Sequence, residues 1–168
     1  MFESGHPGRA GHGAASRSGF STKLLRYDPE LLEDLRARHE RLEHQLAALT
    51  EQFRDDAQAA ATEAQECAEQ LHELRRWEAI RLYPVVSRGL CGDAVAERQW
   101  VILRFVVNGL AHRLLRSMEE LGAVRDADAA SVAVKAVLEN LTGYRARNEQ
   151  DLYPLYASMD PCRARLHA

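Results

Sequence analysis

The strongest constraint on this chain is a spacing. Four stretches place a stripe residue every three or four positions over many turns, which is one face of an α-helix. In the first stretch the stripe is Leu35, Leu42, Leu46, Leu49 and Phe53, and the member missing between Leu35 and Leu42 is His39. The second runs Cys67, Leu71, Leu74, Glu78, Leu82 and Val85. The third is Trp100, Leu103, Val107, Leu110, Leu114, Met118 and Leu121, with no polar member. The fourth is Val134, Val137, Leu141, Tyr144, Asn148, Leu152 and Leu155. His39, Glu78, Tyr144 and Asn148 are therefore polar residues on faces that must be buried.

Local signals set the expected ends. Asp28-Pro29 reads as an N-cap followed by a first-turn proline, opening a helix that runs to about Asp55. The second helix runs from about Ala57 to Arg88, stopped at Gly89 or Gly92. The third runs from near Asp93 to Gly122, and the fourth from near Asp126 or Asp128 to about Ser158. Leu82-Tyr83-Pro84 and Leu152-Tyr153-Pro154 repeat near the ends of the second and fourth helices, where each proline predicts a kink. Four amphipathic helices joined by short turns predict an all-α, up-down-up-down antiparallel four-helix bundle over residues 28–158. Residues 1–22, rich in Gly, Ser and Ala without periodicity, read as a disordered tail, and 159–168 as a C-terminal tail.

In such a bundle, depth is counted from a shared end. His39 lies about eleven residues into the first helix; Glu78 and Asn148 each lie about ten before the ends of theirs. All three are expected in one polar layer, with Tyr144 one turn deeper. A carboxylate in an apolar layer must be paired, hydrogen-bonded or protonated. His39 is the expected partner of Glu78, with Asn148 and Tyr144 supplying further bonds.

The spacing around these residues resembles that of hemerythrin-like (HHE) domains, over about residues 28–158. His39 is followed by Leu42, Leu46 and Leu49, and Glu78 by Pro84 six residues on, as in that family. The resemblance implies a four-helix bundle built to hold non-haem di-iron. Only His39 and Glu78 fill family ligand positions with ligand residue types, as a vestigial or partial metal site. The other positions fall on Leu74, Tyr144, Asn148 and, in the third helix, Ala111 or Val107. One imidazole and one carboxylate are too few for a helical di-metal site. His72, His112 and Glu149 are the neighbours that would have to compensate. A second resemblance, through His39-Glu40-Arg41, Trp77-Glu78 and Arg145 to Leu152, is to the Rsd/AlgQ family of sigma-factor regulators.

The remaining features exclude more than they assign. The net charge of −3 does not favour a nucleic-acid partner. No apolar run is long enough for a membrane span. Cys67, Cys91 and Cys162 match neither a disulfide framework nor a zinc-ligand spacing, which fits a cytoplasmic protein with reduced thiols. No Ser/His/Asp set, P-loop or dinucleotide motif occurs. The charged face of the first helix, Glu33 to Glu51, reads as solvated. Trp77 and Trp100 read as packing residues, with Trp77 also placed to meet a partner. The expected function is that of a non-enzymatic regulatory or interaction protein with a protein partner and no cofactor. The alternatives are a divergent hemerythrin-like protein holding non-haem iron for oxygen or redox sensing or iron handling, and an Rsd/AlgQ-like regulator that binds a sigma factor.

Overall fold

The computed structural model describes residues 26–160, and within them the chain is helical without strands. The proposed tail at 1–22, and the C-terminal tail from residue 161 onward, lie outside the described residues. Helix α1 is Leu31–Asp55. Helix α2 runs as Ala57–Trp77, passes through a π-helical turn at Glu78–Leu82 and ends as Tyr83–Gly89. Helix α3 is Ala94–Gly122. Helix α4 runs as Ala127–Arg147, passes through a second π-helical turn at Asn148–Leu152 and ends as Tyr153–Ala157. The principal contacts are α1 with α2, α2 with α3, α3 with α4, and α4 with α1.

Three helices open on aspartate caps. The Asp56 carboxylate accepts from Gln58 and Ala59 N–H, each at 3.0 Å. Asp93 accepts from Val95 and Ala96 N–H, also at 3.0 Å. Asp126, rather than Asp128, accepts from Ala129 N–H at 2.8 Å. Each cap satisfies donors that a helix leaves bare at its start. After α2 the chain reverses through Gly92, whose φ of +98° disfavours a side chain.

Asp28 does not cap α1, which begins three residues later. Its carboxylate accepts from Glu30 N–H at 3.0 Å and its carbonyl from Leu31 N–H at 3.3 Å, so Asp28-Pro29 forms a turn. Asp28 instead ties the start of α1 to two other helices. Its N–H donates to Tyr156 Oη at 2.8 Å, Tyr156 Oη donates to the Asp28 carbonyl at 3.1 Å, and Arg81 pairs with its carboxylate.

The stripes form one core, with two changes of phase. Leu35, Leu42, Leu46, Leu49 and Phe53 are buried along α1, and His39 with them. In α3, Leu103 and Leu110 are only half-buried and Ala111 is buried. In α4, Leu155 is half-buried while Tyr153 and Tyr156 take the interior. The π turn explains the last change. Tyr153 N–H bonds to Asn148 O, and Tyr83 N–H to Glu78 O, each five residues back. Such a turn admits one extra residue and advances the following face by about 100°. Proline cannot make the i→i−4 bond and its ring crowds that carbonyl. The disturbance expected at each proline therefore takes the form of a widened turn just before it.

Candidate functional site

The inward polar residues lie where the two π turns begin. Glu78 and Asn148 are the first residues of those turns, and both are fully buried. Glu78 Oε2 accepts from Tyr144 Oη at 2.7 Å, and Glu78 Oε1 accepts from Asn148 Nδ2 at 3.0 Å. Arg75, one turn earlier on α2, completes the carboxylate's shell through an Nη1 bond to Oε2. The same nitrogen donates to Tyr83 Oη at 2.8 Å and Tyr144 Oη at 3.3 Å. Arg75 Nη2 bonds to Asn108 Oδ1 on α3. The network thus ties α2, α3 and α4.

His39 stands beside this network without bonding to Glu78, contrary to the sequence-based expectation. Its Nδ1 lies 3.0 Å from the Leu35 carbonyl, one turn back on its own helix. A carbonyl only accepts, so Nδ1 carries the proton and Nε2 is a bare acceptor. Nε2 is buried and has no hydrogen-bond partner among the described residues. The ring packs at 5.5 Å on that of Tyr144, and Tyr153 Oη is 3.3 Å from Nδ1. Arg75 has the place at Glu78 that His39 was expected to take. A guanidinium three residues earlier on the same helix reaches the carboxylate directly and offers several donors to it and its neighbours.

The electrostatics follow from burial. Loss of water pushes the Glu78 carboxyl upward, and Arg75, Tyr144 and Asn148 all oppose that rise. Burial works against the Arg75 charge, which the surrounding Tyr144 oxygen and Glu78 carboxylate more than restore. Burial lowers His39 to about 4, against the help of its bond to Leu35 O, so it is neutral at pH 7. Burial raises the Cys67 thiol to about 12, which leaves it a small core residue.

These residues do not fit a metal ion. The guanidinium of Arg75 supplies the positive charge beside Glu78, and Leu74, Val107 and Ala111 are buried apolar side chains. The neighbours that would have to compensate face elsewhere: His72 and His112 are exposed, and Glu149 accepts two 2.8 Å bonds from Arg36. Among the described residues no group of three or more His, Cys, Asp or Glu side chains is placed to hold a metal. Nor is any described helix long and apolar enough to cross a membrane. Part of the α1 charged face is not merely solvated, since Arg145 of α4 bridges Glu43 at 2.8 Å and Glu40 at 3.2 Å. Trp77 is half-buried between the guanidiniums of Arg38 and Arg81, at 3.9 and 4.6 Å.

A second candidate site lies on α3, opposite its buried stripe. Phe105 is 79% exposed, Val101 63% and Ile102 58%, and the i, i+3/i+4 spacing puts them on one face. Sequence reasoning missed this face because it searched α3 for its buried stripe. The run Trp100-Val101-Ile102-Leu103-Arg104-Phe105-Val106-Val107 holds more apolar residues than one stripe can bury, and that surplus was the available signal. Comparison with family models, curated proteins and solved structures finds no match for this chain.

Proposed function

We propose that this chain is a non-enzymatic interaction protein, an up-down-up-down bundle of hemerythrin-like form whose polar layer works without metal and whose α3 face docks another protein. Short turns and the cyclic packing of neighbouring helices support the topology. The polar layer supports a structural role, because Glu78 is fully buried and shared among Arg75, Tyr144 and Asn148. The observation that carries the docking role is the apolar face of Val101, Ile102 and Phe105 in open solvent. Single exposed apolar residues are ordinary, whereas a contiguous set marks an interaction surface.

Two measurements test this reading. A photo-crosslinking amino acid at Phe105, in cells of the source organism, is expected to give a discrete protein adduct that the same group at Val132 of α4 does not. Val132 is 72% exposed and serves as the control. Untagged protein grown with added iron is expected to hold only traces of metal. Equal labelling from both positions would remove the docking role. Near-stoichiometric iron, lost in His39→Ala, would remove the metal-free role and return the divergent iron-holding alternative.

A further inference from the structure

The α3 face has a chemistry that narrows its partner, and the choice of partner rests on the docking role proposed for that face. Three observations meet there. Residues 98–118 contain Arg98, Arg104, Arg113 and Arg116 and no acidic residue. Arg98, Ile102, Phe105 and Gly109 follow one i, i+4, i+7, i+11 line, and Ile102, Val106, Gly109 and Arg113 follow another. Arg98 and Arg113 therefore edge the apolar face, while Arg104 lies over the Tyr83 and Trp100 rings and Arg116 pairs with Glu120 at 3.6 Å.

The second observation is a cleft of about 370 Å³ between α3 and the end of α4. Leu90, Trp100, Ile102, Leu103 and Leu155 line it, and Arg147 and Asp151, paired at 2.9 Å, form its polar edge. Ile102 belongs to both the cleft and the open face, so the two are continuous. The third is Gly109. Glycine inside a helix is unfavourable relative to alanine. A Cβ there would meet nothing within 4 Å, so no contact within the described chain requires its absence. It leaves a flat step one turn beyond Phe105.

We infer that this surface receives an acidic amphipathic helix of another protein. One apolar anchor fills the cleft, the rest of the apolar stripe covers Ile102, Phe105 and Gly109, and flanking carboxylates meet Arg98 and Arg113. Helix-in-groove docking uses this i, i+3/i+4, i+7 anchoring, and opposite charge at the rim selects the partner. A second copy of the chain fits less well, because it would bring an acid-free basic run against its own likeness. A lipid surface fits less well because a plane leaves the concave cleft unfilled.

The test uses the full chain and two designed helical peptides that share one leucine stripe, one with a glutamate polar face and one with a lysine polar face. Fluorescence anisotropy is expected to show saturable binding of the glutamate peptide at least about tenfold tighter than the lysine peptide, weakening as salt rises. Ile102→Ser and Gly109→Ala should weaken that binding, and Arg98→Glu with Arg113→Glu should reverse the preference while helicity is unchanged. Equal binding of both peptides would overturn the acidic partner. So would binding only to phosphatidylcholine–phosphatidylglycerol vesicles, or a dimer separated by Phe105→Ser. Absence of peptide binding overturns the acidic partner too. If a protein adduct still forms at Phe105 in cells, the docking role survives that failure; if none forms, both fall.

Discussion

Arg75 decides how the buried carboxylate of Glu78 behaves. A buried ion pair adds little against an apolar pair of equal volume, but breaking it strands a charge. Glu78→Gln would keep the volume and the Asn148 neighbour while leaving the Arg75 guanidinium without its counter-charge. The expected loss is about 3–5 kcal/mol, read by urea unfolding, with most of it recovered when Arg75→Met is added to Glu78→Leu. A loss below about 1 kcal/mol would mean that the carboxyl is neutral in the folded chain and that the two tyrosines and Asn108 suffice for Arg75. His39 gives a second residue-scale test. Its folded pKa is depressed from 6.5 to about 4. Such a group contributes stability that is fully present above the unfolded pKa and is lost as pH falls through the folded one. Unfolding free energy should therefore fall between pH 6.5 and 4, by about 3 kcal/mol from this residue. His39→Leu should flatten the profile over that window. An unchanged slope in the variant would assign the acid sensitivity to other groups.

At the scale of elements, the two π turns connect the sequence to the site. Counting at 3.6 residues per turn located Glu78, Tyr144 and Asn148 correctly because all three lie at or before the start of a widened turn. In α4 the same count failed beyond it, offering Leu155 where Tyr153 and Tyr156 are buried, since one extra residue had entered the helix, whereas Val85 beyond the α2 turn is buried as counted. Asp28 was misread for a different reason. A local cap pattern cannot reveal that Tyr156, 128 residues away, bonds to both its N–H and its carbonyl. Arg75 and Asn108 were invisible as site residues because a flanking polar position ordinarily faces solvent. The Tyr156 hydroxyl joins the end of α4 to the start of α1, so Tyr156→Phe should cost about 1–2 kcal/mol. It should also speed amide exchange in the first turn of α1 more than in its middle. Uniform acceleration along α1 would instead mean that this clasp does not set the local stability of the helix start.

At the scale of the whole molecule, the chain divides its polar and apolar groups against the usual direction in two places. It buries the Glu78 carboxyl in the core beside a partly buried arginine and leaves a large apolar face in water. The first is offset by three donors to one carboxylate; the second has no offset within the described chain. Stability and surface chemistry can therefore be separated by a single change. Because Phe105 is 79% exposed, folding gains little from its ring, and Phe105→Ser should change unfolding free energy by no more than about 0.5 kcal/mol. The same substitution removes the centre of the apolar patch that water meets. The folded variant should then elute earlier than the parent from a phenyl column in a falling salt gradient, with an unchanged melting midpoint. A fall of several degrees in that midpoint would show that Phe105 packs against another part of the folded chain. The face would then be a covered piece of core, and the docking role would have to be sought on another surface.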